Sequence, residues 1–209
     1  MAEMPPEHEV RALVAAVVEG VIDERAEEPT TRTAPWTVEE NAGEIVMPPG
    51  TRSVPLADIA IGADHGGFHL KQRIAAELRE HGFTVHDCGT DSAESVDYPD
   101  FAHTVAGLVA QGGCRWGIVV DGAGIGSAVV ANKVPGVRAA ACWDVSSARN
   151  SREHNHANVL ALGAGLLGEN LALHIVQAWL STAWGGGRHA RRVEKIVEIE
   201  RRYLKDGVP

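Results

Sequence analysis

Cysteine is scarce in these 209 residues: Cys88, Cys114 and Cys142 form no CxxC pair and no Cys/His ligand spacing. An odd number so arranged argues against a disulfide framework and a zinc site and suits a reducing cytoplasm. Long apolar runs are missing too. Nothing approaches the roughly 18 apolar residues of a membrane span, and the acidic N-terminus lacks the basic start of a secretory signal. Lysine is absent from residues 1–57, which hold 11 Asp/Glu against 4 Arg and so carry most of the formal charge of −9. A chain this acidic is poorly suited to neutralising nucleic-acid phosphates. Neither nucleic acid nor membrane is an expected partner.

What is present, 44% hydrophobic and 22% charged residues, suffices for one compact core plus an appendage. Residues 8–24 place Val10, Leu13, Val14, Val17, Val18, Val21 and Ile22 on one helical stripe. Residues 1–25 are therefore expected to hold an amphipathic helix. Pro35, Pro48, Pro49, Gly50 and Pro55 then interrupt any regular element, so 26–57 reads as a linker. Over 58–209 the texture changes to short apolar runs, each followed by a helical pattern. The runs are 59–63, 84–88, 116–120, 137–142 and 158–163; the helices fall near 67–81, 100–111, 124–132, 145–152 and 168–182, with a charged last helix over 188–204. Five strands alternating with helices predict an α/β fold, a doubly wound five-stranded parallel sheet in a three-layer, Rossmann- or flavodoxin-like sandwich with an N-terminal helical extension.

Ligands of such sheets bind beyond the carboxyl ends of the strands, where strand order reverses, here between the first and third strands. The first strand ends in Ala63-Asp64-His65-Gly66-Gly67 and the third in Asp121-Gly122-Ala123-Gly124-Ile125-Gly126-Ser127. The second loop lets backbone N–H groups approach an anion at a helix N-terminus. It also reads as a plain tight turn with Asp121 as a cap. A lone His65 at a strand end is equally compatible with a structural role; the convergence of both loops on one crevice is what favours a site. His154, Asn155 and His156 are expected at the mouth of the fifth strand, on its carboxyl side or just before it. Their spacing offers no third metal ligand. Arg188, Arg191 and Arg192 follow a glycine run and suit a phosphate, or simply a solvated helix start.

The segments IGADHGGFHLK, ESVDYPDFA, GAGIGSAVVANKVPGVRAA, SREHNHANVLALG and GGGRHARRVEKI occur in this order. Together they closely resemble the type B ribose-5-phosphate isomerase and galactose-6-phosphate isomerase family over nearly all of 58–202. The resemblance implies aldose-ketose isomerisation through an enediolate, most simply of ribose 5-phosphate to ribulose 5-phosphate, without metal or organic cofactor. It implies a homodimer or dimer of dimers whose sites are shared between subunits. By motif position Asp64 and His65 contact the sugar, His154 helps open the furanose ring, and Asn155 holds substrate oxygens. Backbone N–H groups of Gly122, Ala123, Gly124, Ile125 and Gly126 stabilise the enediolate, and Arg188 and Arg192 bind phosphate.

Three departures bear on mechanism. Asp121 stands where many members carry the cysteine base, and Ala123 where a threonine is common; another branch places a glutamate base at Ser127. Asp121, the only carboxylate in the loop, is the expected proton-transfer base, although it would need partial desolvation to become a stronger one. A bracing role stays open, because some galactose-6-phosphate isomerase subunits carry Asp here and pair with a cysteine-bearing partner. Gly165 replaces an arginine that reaches phosphate in other members. Cys142 is expected as a small buried hydrophobe. The alternative to an enzyme is a non-catalytic sugar-phosphate-binding subunit or regulatory module. The extension resembles, generically, the encapsulation peptides that dock enzymes onto shell proteins of bacterial microcompartments; packing on its own domain and a disordered tail are the other readings.

Overall fold

The computed structural model describes residues 56–204, so the expected N-terminal helix and most of the linker lie outside the described residues. The strands are β1 (Ala57–Ala63), β2 (Val85–Asp87), β3 (Cys114–Asp121), β4 (Ala139–Ala141) and β5 (Val159–Gly163). The helices are α1 (Phe68–Glu80), α2 (Tyr98–Ala110), α3 (Ile125–Ala131), α4 (Val145–Asn155), α5 (Glu169–Ser181) and α6 (Arg188–Tyr203). All strand pairs are parallel, in the order β2-β1-β3-β5-β4.

The sequence explains that order. The interior strands β1, β3 and β5 are near-continuous apolar runs, as burial on both faces requires. The three-residue β2 and β4 are only half-buried and take the edges. The arrangement β2-β1-β3 is flavodoxin-like, whereas beyond β3 the chain first lays down the outer β4 and then returns to insert β5.

Two apolar layers sandwich the sheet. Ile59, Ile61, Ile118, Val120, Leu160 and Leu162 meet Leu70, Ile74 and Leu78 of α1 and Ile175 and Trp179 of α5. On the other face Ala60, Val119, Val159 and Ala161 meet Val105 and Val109 of α2 and Ala131 of α3. Truncating a buried Leu or Ile of the first layer to Ala would cost on the order of 2–5 kcal/mol, whereas the second layer is built of Val, Ala and Cys. The sheet is thus a rigid floor, with loops at its two ends free to carry chemistry.

Candidate active site

At the carboxyl edge the β1 and β3 loops touch. The Asp64 N–H donates to Val120 O at 3.2 Å, and Asp64 Oδ1 accepts from the Gly67 N–H at 2.9 Å. A Cβ built on Gly66 would lie 3.8 Å from the Gly122 nitrogen, so no side chain separates the two loops. The β5 loop joins them: Ala164 N–H donates to Asp121 O at 2.8 Å and Gly165 N–H to Gly122 O at 3.0 Å. A Cβ at Gly165 would come 2.9 Å from that oxygen.

Asp121 is buried and heavily engaged. Its Oδ1 accepts from the N–H groups of Ala123 (2.7 Å) and Gly124, and its Oδ2 from that of Ser127 (2.9 Å); the Ser127 hydroxyl adds a further hydrogen bond. Burial alone would raise its pKa, but the bonds from Ser127, Gly124 and Ala123 outweigh it and hold the carboxyl below the usual carboxylate range. The desolvation that a stronger base would need is present, yet the net shift is downward. Two of the five loop N–H groups expected to face an enediolate are therefore spent on Asp121. Those of Ile125 and Gly126, in the first turn of α3, have no acceptor among the described residues. They point the helix N-terminus at whatever anion enters. Gly124 enters this turn at φ 76° and packs so closely that a Cβ would fall 2.8 Å from the Leu162 carbonyl carbon.

His65 is exposed, and its Nδ1 lies 3.2 Å from both N and O of Val96. The strap holding Val96 is anchored by fully buried Lys71, whose Nζ donates to Asp87 Oδ1 at 2.5 Å and Thr90 O at 3.0 Å. One further residue belongs here that the sequence reading left without a role. The Tyr98 ring lies over Gly126, where a Cβ would fall 2.7 Å from Cζ and 3.0 Å from the hydroxyl. The available signal was ESVDYPDFA itself: Pro99 marks the first turn of α2, which begins at Tyr98.

The remaining predicted residues lie elsewhere. His154 and Asn155 form the last turn of α4, and His156 caps that helix in the left-handed region, φ 51°. They sit at the amino end of β5, because α4 returns across the sheet from β4 before β5 begins; the carboxyl-side placement is corrected accordingly. Gly117 N–H donates to Asn158 O, and from Gly117 to Asp121 four strand residues rise roughly 13 Å. Arg188, at the start of α6, is at the same amino end, since the Gly185 N–H donates to Glu153 O at 2.9 Å. One chain consequently brings together Asp64, His65 and the 121–127 loop, and separately His154, Asn155, Arg188 and Arg192, with the body of the sheet between.

The amino-edge group has its own supports. Arg152 is buried between the Trp116 and Trp179 rings, 5.9 and 4.9 Å from their centroids, and its Nη1 donates to Ala157 O at 2.6 Å. Arg138 Nε donates to His156 O at 2.9 Å. Burial, then Arg138 and Arg152, push the His156 imidazole down to about 4. No group of three His, Cys, Asp or Glu disposed to hold a metal occurs among the described residues. Cys142 is buried as expected, with its thiol pushed up by burial. Cys88, beyond the end of β2, is pushed up to about 12, chiefly by burial, and so supplies no thiolate. No described helix is long and apolar enough to cross a membrane.

Residues 59–196 match the family described as Ribose/Galactose Isomerase. The chain belongs to that family. It is an isomerase. It is 49% identical over 144 residues to ribose-5-phosphate isomerase B of Escherichia coli (strain K12), covering 69% of this chain and 97% of that protein. It is 45% identical over 142 residues to D-erythrulose-4-phosphate isomerase of Pectobacterium atrosepticum, covering 68% of this chain and 93% of the relative. The solved ribose-5-phosphate isomerase B of Clostridium thermocellum superposes with a TM-score of 0.69 at 55% identity, over 70% of this chain and 99% of its own.

Proposed function

We propose that this isomerase interconverts an aldose and a ketose phosphate through an enediolate, with ribose 5-phosphate and ribulose 5-phosphate as the pair, in a site shared by two copies of the chain. The observation that carries the sharing is the separation of the predicted residues onto opposite edges of one sheet. A dimer that sets the carboxyl edge of one copy against the amino edge of the other reunites them. Arg188 and Arg192 then hold the phosphate, His154 opens the ring, and Asn155, Asp64 and His65 hold sugar oxygens. Asp121 moves the proton between C2 and C1, and the Ile125 and Gly126 N–H groups take the developing charge.

The depressed basicity of Asp121 constrains this mechanism: Oδ2 must be released by the Ser127 N–H before it accepts a proton. Gly165, in place of a phosphate-reaching arginine, leaves the phosphate to the amino-edge arginines. Complementation tests the sharing. An Asp121→Asn chain and a His154→Asn chain, each inactive, are mixed and allowed to exchange subunits. Half the dimers are then mixed and carry one intact site in two, which predicts recovery of about a quarter of wild-type activity. No recovery despite exchange refutes a shared site. The non-catalytic alternative predicts that purified chain binds sugar phosphates and forms no ketose.

For the extension we propose docking of residues 8–24 onto a microcompartment shell protein, inside an otherwise cytoplasmic location. Its support is the apolar stripe and the linker alone. Deleting residues 1–50 should leave isomerase activity intact and abolish co-purification with shell proteins; loss of folded enzyme would instead indicate packing on the isomerase domain.

A further inference from the structure

His189 has no assigned role, yet it is placed like a working part. It is buried in the first turn of α6, and its ring stacks on that of His154 with centroids 4.2 Å apart and planes 5° from parallel. Arg188 Nε donates to His189 Nε2 at 3.3 Å, so the neutral ring keeps its proton on Nδ1, an atom that is buried without a partner. On the other ring, Asn150 Nδ2 lies 2.9 Å from His154 Nδ1. An amide NH2 can only donate, so Nδ1 accepts and His154 Nε2 carries the proton, 3.7 Å from Glu153 Oε1. Burial, ahead of His154, Arg188 and Arg192, disfavours charge on His189. A neutral His189 face is the surface on which the His154 ring can stack, since two stacked imidazolium ions would repel.

We propose that His189 is a positioning residue for ring opening: it fixes the plane of His154, whose proton-bearing nitrogen Asn150 sets, and contributes nothing to proton transfer at carbon. The inference rests on the isomerase reading above. In ring opening the C1–O4 bond breaks, O4 takes a proton from His154 Nε2, and the C1 hydroxyl proton passes through solvent back to that nitrogen, so the neutral imidazole is restored. The products are the aldehyde and the C4 hydroxyl, with no oxidant or reductant. Ribulose 5-phosphate cannot close a furanose ring, because its C5 oxygen carries the phosphate. Exchange of its C1 proton with solvent therefore needs the enediolate step but not ring opening.

This split supplies the test. Wild type, His189→Ala and His189→Phe are assayed for conversion of ribose 5-phosphate and, by proton NMR in D2O, for C1 exchange of ribulose 5-phosphate, with thermal melts as the check on folding. The Ala variant should convert ribose 5-phosphate at least about tenfold more slowly while exchanging C1 within about twofold of wild type. The Phe variant, which restores a flat stacked ring, should recover conversion to within about threefold. Equal losses in both assays, no loss in either, or a Phe variant as slow as Ala overturns the assignment. A folded wild-type enzyme that neither converts nor exchanges overturns the isomerase reading itself, and this inference with it.

Discussion

Replacing Asp121 by Asn separates two roles that the structure gives one carboxylate. The side chain accepts from three backbone N–H groups and the Ser127 hydroxyl. An amide keeps one oxygen, best directed at Ala123 and Gly124, and turns its NH2 toward the Ser127 N–H. One charge-assisted bond is lost and one buried donor is orphaned, about 2–3 kcal/mol in all. For a chain of this size that lowers Tm by about 5–10 °C. The folded pKa of Asp121 is depressed, so its contribution is present above the unfolded value near 3.9 and lost as pH falls through the folded one. The Asn variant should therefore lack this component of acid destabilisation below about pH 4. As the proton-transfer base, its loss should also cut kcat by at least about a hundredfold. Calorimetry across pH and a coupled ketose assay read the two effects independently. A variant with wild-type Tm refutes the bracing; one with wild-type turnover refutes the base.

Other perturbations follow from the same contacts. Lys71→Met leaves Asp87 without its cation and should cost about 3–5 kcal/mol by denaturant unfolding, with KM rising as the strap beside His65 loosens. Arg152→Ala opens a cavity between Trp116 and Trp179 and should cost about 3–5 kcal/mol, whereas Arg152→Met should recover most of the packing. His156, with its folded pKa at about 4, gives stability that is full above the unfolded value near 6.5 and declines as pH falls toward 4. His156→Asn, which tolerates the left-handed turn, should flatten that decline in melts taken between pH 7 and 4.

Much of this was legible in the residues. The five runs located every strand, the interior β1, β3 and β5 because buried parallel strands are continuous in hydrophobicity. Asp64, His65 and the glycine loop were found because chain ends at a parallel sheet's carboxyl edge must lie together. Strand insertion was less legible: β4 and β5 are both apolar, and only burial tells that VLALG is interior and AAA an edge. The place of His154 depended on α4 running three residues further than its pattern suggested, through the capping box of Asp144 with Ser147 at one end and His156 at the other. The hydrogen bonds spent on Asp121 come from residues two, three and six positions on, a geometry set by the turn rather than by composition. Tyr98 and His189 were visible only as letters within motifs, since their partners are distant in sequence.

The central claim is isomerisation at a site completed by two copies, and one experiment addresses its chemistry directly. Purified full-length chain, alone, is given ribose 5-phosphate in D2O, and the sugar is followed by proton NMR. The account predicts accumulation of ribulose 5-phosphate to an equilibrium independent of enzyme concentration, with deuterium entering at C1. Binding of the sugar phosphate, seen as broadened resonances, with neither ketose nor deuterium appearing would contradict it.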